Sequence, residues 1–373
     1  MSRRSISFVR GFSFRVFRNT LFDSSPRKTK NRKLNTVPYI TLALCLIAGA
    51  SHQVAAAEAE NHLAKARELA AADQPEAASI AFRNALQQNP DNVQARLQFG
   101  QIELKLGNGQ TALKELAIAA GSLPEQETAV PLAEARLLAA DYSNLAAADA
   151  EASRAAIRAI SGLSDAQRAR LMGLHGQAFL ALDRPEDAQE LFAAALTYDP
   201  GEPYALLGQI ILVRRDNGLD EASLQLARLR DLHPEFAPAW SLAGDLARAR
   251  SDWEGAEAAY TRAITLRRNH AYDLLHRALT RLALKDPAGA AADAALLQQT
   301  GRAGPGADYI LGLVALQASD LAAADQHFSA ALAVDASYLP AVLFAGVTAA
   351  AAGHPEQAQA HLVRYTNAFY RIV

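Results

Sequence analysis

The stretch WSLAGDLARARSDWEGAEAAYTRAI, residues 240–264, places Trp240, Gly244, Ala256, Tyr260 and Ala263 at intervals of 4, 12, 4 and 3 residues. The pattern recurs. With residue 237 as position 1 of a 34-residue unit, these residues occupy positions 4, 8, 20, 24 and 27, and further units start at 59, 93, 127, 169, 203, 271, 305 and 339. Position 20 is alanine in Ala78, Ala112, Ala188, Ala222, Ala256, Ala290, Ala324 and Ala358. Position 24 is large and apolar in Phe82, Leu116, Phe192, Leu226, Tyr260, Phe328 and Leu362, with Ala294 the exception. A fixed period of this length marks a repeat architecture, in which each unit buries its apolar face against its neighbours.

Gly100, Gly176, Gly244, Gly312 and Gly346 stand at position 8, inside an apolar-periodic helix. There glycine costs about 1 kcal/mol relative to alanine. Close approach of a paired helix offsets that cost, with the alanine at position 20 expected to face the glycine and position 24 to fill the space beside it. Pro75, Pro185, Pro287 and Pro355 fall at position 17, where a second helix begins and the missing N–H costs nothing. Each unit therefore reads as a helical hairpin.

The period, the small residues and the closing prolines Pro90, Pro124, Pro200 and Pro234 resemble the tetratricopeptide repeat (TPR) family. The resemblance spans 58–373 and implies an all-α, right-handed superhelix of about nine hairpins. Two units depart from it. Gly208 precedes Ala222 by fourteen residues instead of twelve, which predicts a turn two residues longer. Unit 127 has Glu134 at its small position, and 42 residues separate it from the next start. Residues 127–168 are therefore expected to form two longer helices.

In TPR folds the first helices line a concave face, and positions 2, 5, 9, 12 and 13 point into it. The resemblance then assigns a partner-binding surface to Leu97, Gln101, Leu104, Gln177 and Leu180. After the two-residue shift it adds Gln209 and Leu212, followed by Arg248, Leu275, Leu282, Tyr309 and Leu316. Lys105 and Asp245 belong to the same set. Such a face suits an apolar strip or amphipathic helix of a partner protein. Some of these leucines are equally well accounted for as core of a tightly wound, alanine-rich superhelix.

The N-terminus has a different character. Residues 1–33 carry ten Lys or Arg against one acid, Asp23, and the apolar run 39–50, YITLALCLIAGA, is followed by Ala55 and Ala57. A basic segment (1–37), a short apolar stretch and a small-x-small site describe a secretory signal of residues 1–57 cleaved near Ala57, and hence a periplasmic protein. Left uncleaved, the segment would associate with a membrane. The single cysteine, Cys45, lies in this run, and Leu44 stands where lipid attachment requires a small residue. Without residues 1–57 the chain retains 27 of 37 basic and 38 of 39 acidic residues, a formal charge near −11. That balance argues against nucleic acid as a partner.

Nothing in the sequence calls for a cofactor, a metal or catalysis. The nine histidines form no HExxH, and neither a phosphate loop nor G-x-S-x-G occurs. Nearly every residue after 57 is already used by a repeat.

The segments 84–121 (NALQQNPDNVQARLQFGQIELKLGNGQTALKELAIAAG), 129–145 (AVPLAEARLLAADYSNL) and 234–264 resemble the TPR lipoproteins of the PEP-CTERM/exosortase system. That resemblance implies a non-catalytic scaffold of the Gram-negative envelope, partnered with export components and supporting exopolysaccharide export and biofilm formation. The alternative is a periplasmic chaperone or assembly factor for envelope proteins or cytochromes. The tail NAFYRIV, with Phe369, Tyr370 and Ile372, supplies no polar cap to the last unit, so a shortened chain or self-association through this end is expected.

Overall fold

The computed structural model describes residues 58–216, 218–267, 270–299 and 304–369, all within one compact unit. The expected signal segment 1–57 lies outside the described residues, as do Tyr370, Ile372 and the side chain of Phe369. Nineteen helices and no strand are found among the described residues. They are α1 (residues 58–71), α2 (Pro75–Gln88), α3 (Val93–Lys105), α4 (Gly109–Ala120), α5 (Glu125–Leu138), α6 (Tyr142–Leu145), α7 (Ala150–Ala159), α8 (Asp165–Ala181), α9 (Pro185–Tyr198), α10 (Pro203–Arg215) and α11 (Leu219–Leu232). The remainder are α12 (Ala237–Ala249), α13 (Trp253–Leu266), α14 (Ala271–Ala283), α15 (Pro287–Gln299), α16 (Gly306–Gln317), α17 (Leu321–Val334), α18 (Leu339–Ala351) and α19 (Pro355–Phe369). None is long and apolar enough to cross a membrane.

Consecutive helices pair as antiparallel hairpins, and each hairpin packs on the next. The position-20 alanines from Ala78 to Ala324 are fully buried, and so are the position-24 side chains Leu116, Phe192, Tyr260 and Phe328. The glycine contact differs from expectation. The position-24 side chain, and not the alanine, covers the glycine: a Cβ built on Gly244 would lie 2.5 Å from Tyr260 Cε1, and one on Gly100 2.5 Å from Leu116 Cγ. The alanine lies one turn earlier on the second helix, where it lets the backbones close up. The hairpin α14–α15 replaces the pair with two alanines. Ala278 takes the glycine position and Ala294 the large one, both fully buried. Beside them Arg277 makes a bidentate bond to Asp293 (2.5 and 3.0 Å), in place of an apolar ring.

The described hairpin turns share one form. Position 15 is left-handed in Asp73, Gly107, Asp183, Ser251, Lys285, Ser319 and Gly353, with φ between 53° and 77°. The next N–H bonds the carbonyl five residues back, as in Asp252 to Ala247 (2.9 Å) and Asp286 to Arg281 (2.8 Å), which is a Schellman closure. Gly218 bonds Val213 in the same manner (3.1 Å), so α10–α11 has the ordinary turn and not the longer one expected. Gly208 is explained otherwise. It is position 6 of its unit, and the Phe192 ring of α9 fills the space where its side chain would be. The same ring covers Gly176 from the other side. One aromatic residue thus locks its own hairpin and the next.

Residues 127–168 also depart from expectation. They do not form two longer helices. The first helix, α5, is of ordinary length, and its closing turn at Ala140 (φ 59°) puts the unit start at 126. The one-turn α6 and the ten-residue α7 follow. The extra residues lengthen the connection, and α7 makes its main contacts with α8 and α9 while standing off from α5. Asp187 accepts from the Ala150 N–H (2.9 Å), Arg184 donates to the Ala148 carbonyl (2.8 Å) and Arg168 to the Ile157 carbonyl (3.2 Å). These bonds hold α7 to the following hairpin.

Candidate partner-binding groove

The first helices α3, α5, α8, α10 and α12 line one groove of about 510 Å³. Its apolar wall includes Leu104, Leu137, Leu138, Leu180, Leu207 and Ile211. Successive units contribute positions 9 and 12, which share one face of a helix because they are three residues apart. With the ordinary turn of α10–α11, that unit presents Tyr204, Leu207, Ile211 and Arg214 to the groove.

Polar residues are concentrated in the middle. Arg170 bridges three successive units, donating to Glu134 on α5 (2.8 and 3.0 Å) and to Glu202 at the start of α10 (3.3 Å), with its guanidinium 4.3 Å from the Tyr204 ring centroid. Burial raises the Tyr204 phenol to about 12. Asp245 accepts from Tyr260 (2.7 Å) and from Tyr272 (2.7 and 2.8 Å). Burial, then the Asp245 charge, pushes both phenols up and keeps them protonated donors. The acids of the groove are thus already engaged. Lys105 is exposed, and Arg214 reaches only Asp245, at 4.0 Å. The least engaged charges in the groove are basic, on a chain whose residues after 57 are strongly acidic.

Of the residues assigned from sequence, Leu104, Lys105, Gln177, Leu180 and Asp245 line this groove. Gln177 is tied down, donating to the Tyr204 carbonyl of the next unit (2.7 Å). Gln101 is exposed on α3. Leu97 is corrected to core: it is buried with Ala112 and Leu116, because position 5 of that unit turns toward α4. Tyr309 is also core, 8% exposed and ringed by Phe328, Tyr338 and Phe344. Gln209 and Leu212 came from the two-residue shift that the turn does not have, and Leu212 packs against the core beneath α8 and α9. Arg248 is half-buried beside Tyr260 and Tyr272, and Leu275, Leu282 and Leu316 pack partly buried on the C-terminal core. Sequence reasoning missed Glu134, Tyr204, Ile211 and Arg214. Reading Gly208 as position 6 would have found the last three.

Helical hairpins recurring on a 34-residue period, interrupted only at 127–168, with eight described left-handed closing turns and a small residue at position 8 covered by the position-24 side chain in Gly100, Gly176, Gly244, Gly312 and Gly346, decide the architecture. The chain has the tetratricopeptide-repeat fold. No protein-family model and no curated protein matches it. Among solved structures it is similar to a chain of the APC/C hetero-tetramer Cut9–Hcn1, with a TM-score of 0.60 and 12% identity over 79% of this chain and 56% of that one. The TPR chain therefore spans little more than half the length of that neighbour. PilF of Pseudomonas aeruginosa matches with a TM-score of 0.45 and 15% identity, covering 58% of this chain and 97% of PilF. A tetratricopeptide repeat protein of Parabacteroides merdae matches at 0.38 and 13%, covering 78% and 98%. Among the described residues of the TPR solenoid, no group of three His, Cys, Asp or Glu is placed to hold a metal ion.

Proposed function

We propose that the TPR solenoid is a non-catalytic scaffold that holds a partner protein's segment in the groove of α3 to α12, in the bacterial envelope and in support of exopolysaccharide export. The observation carrying the interaction reading is the groove itself: five consecutive first helices present a continuous apolar wall with Lys105 exposed and Arg214 held only by Asp245 at 4.0 Å. That chemistry favours a segment with apolar side chains and a carboxylate, since Arg pairs bidentately with carboxylates. The envelope and polysaccharide reading, with its link to PEP-CTERM sorting, is supported by the signal-like residues 1–57 and by the resemblance of 84–121, 129–145 and 234–264.

The test is secreted exopolysaccharide in a strain lacking the gene, complemented with the wild-type chain or with the double variant Lys105→Glu/Arg214→Glu. Lys105 is exposed and Arg214 half-buried, and neither belongs to the core, so the variant is expected to fold, which circular dichroism verifies. Placing like charges against a partner carboxylate costs on the order of several kcal/mol. Wild type should restore polysaccharide and the double variant should not. Unchanged polysaccharide in the deletion strain refutes the export role. The chaperone or assembly-factor reading would then be tested by selective capture of unfolded client segments.

A further inference from the structure

The interrupted hairpin contains a second cavity, separate from the groove. In a regular unit the second helix fills the space against its own first helix. Here α7 stands off from α5 and leaves about 420 Å³ between α5, α7 and α8, within the range of small-molecule sites. Leu132, Ile157 and Leu171 supply apolar walls. Two polar groups reach it, Arg136 from α5 and His175 from α8.

Arg136 is the unusual one. It is half-buried, its Nε is sealed from solvent with no acceptor, and no described carboxylate pairs with it. Arg154, Arg230, Arg248 and Arg267 also have an unpaired Nε, but Arg154 and Arg267 reach Glu151 and Asp273 through their other nitrogens, Arg230 lies over the Trp240 ring (4.9 Å to the centroid) and Arg248 bonds Tyr260. A buried donor without an acceptor costs free energy, and a ligand oxygen would remove that cost. His175 rests on Ser153 Oγ (3.3 Å). Burial, then the Arg136 charge, lowers its imidazole to about 4. Near neutral pH the site therefore offers one positive charge and one neutral imidazole. Glu125, exposed on the rim, disfavours a dianion.

We propose that this cavity binds a small amphipathic monocarboxylate, its apolar body against Leu132, Ile157 and Leu171 and its carboxylate on Arg136. Arginine's planar fork matches a carboxylate, and an apolar pocket with few polar groups is the usual form of a small-molecule site. The inference is independent of the groove and of any partner held there.

The test is calorimetric titration of the full chain with octanoate, beside octanol and inorganic phosphate, with circular dichroism to verify folding. Octanoate should bind saturably and Arg136→Met should weaken it about tenfold to a hundredfold, the value of charge-assisted hydrogen bonds. Ala129→Phe, which fills the cavity from α5 and keeps Arg136, should abolish binding, while Lys105→Glu/Arg214→Glu in the groove should leave it unchanged. Absence of saturable binding up to the millimolar range overturns the proposal. So does octanoate binding that survives both cavity variants, octanol binding as tightly as octanoate, or phosphate displacing octanoate with equal affinity. Should Arg136→Met fail to fold, Ala129→Phe and the two comparison ligands still decide.

Discussion

Gly244→Ala measures how tightly two TPR helices are drawn together. On an isolated helix the change would stabilise by about 1 kcal/mol. Here the new Cβ meets Tyr260 at 2.5 Å from Cε1, 2.6 Å from Cζ and 2.7 Å from Cδ1, while carbon contacts are favourable at about 3.5–4.0 Å. The ring must retreat by about 1 Å. It has little room, being fully buried, and its hydroxyl is held by Asp245 at 2.7 Å. Overpacking of this kind costs about 1–3 kcal/mol, and straining the hydroxyl bond adds about 1 kcal/mol. After the propensity gain, a net loss of about 1–3 kcal/mol is expected.

The α14–α15 hairpin shows the remedy, since Ala278 there faces a unit with Ala294 in the large position. Tyr260→Ala alone should cost about 3–5 kcal/mol. The double variant should recover at least about 1 kcal/mol of the summed losses, a coupling typical of residues in contact. Repeat arrays lose two-state behaviour, so the assay is native-state hydrogen exchange of α12 and α13 amides alongside urea unfolding. If Gly244→Ala stabilises these helices, or if the two changes add within about 0.5 kcal/mol, the close-approach explanation of position 8 is wrong.

Two further outcomes follow from the geometry. Lys285 is exposed and left-handed (φ 61°), a conformation that costs an L-residue about 1–2 kcal/mol. After glycine's extra unfolded-state entropy, Lys285→Gly should raise stability by about 0.5–1 kcal/mol, read as a higher urea midpoint, while Gly107→Ala (φ 77°) should lower it; the opposite signs would refute the turn argument. His175 has a folded value of about 4 against 6.5 unfolded, through burial and then Arg136. Its neutral form is favoured by the fold, so its contribution is complete above about pH 6.5 and is lost as pH falls to about 4. The loss amounts to about 3 kcal/mol. Imidazole titration by NMR should give the depressed value, and His175→Gln should flatten the acid limb of the stability curve; a His175 titrating near 6.5 would show that the ring is solvated.

The sequence by itself determined the period, the hairpins and most of the core. Alanine at position 20 and a large apolar residue at position 24 recur because each hairpin meets the same neighbour through the same backbone distance, so one local rule is written eight times at position 20. It could not say which residue covers the glycine. Spacing places two residues on facing helices but leaves the rotation between them free, and only packing chose Tyr260 over Ala256 as the contact to Gly244. Gly208 misled for a related reason: a glycine reports close approach without naming what approaches, and here it was Phe192 of the preceding hairpin. The groove was legible only where the register held, at Leu104, Lys105, Gln177, Leu180 and Asp245. The polar bridge of Glu134, Arg170 and Glu202 joins residues more than thirty positions apart, and the cavity at Arg136 exists because α7 packs forward on α8 and α9. Both depend on how separate hairpins stack, and no period within one hairpin encodes that.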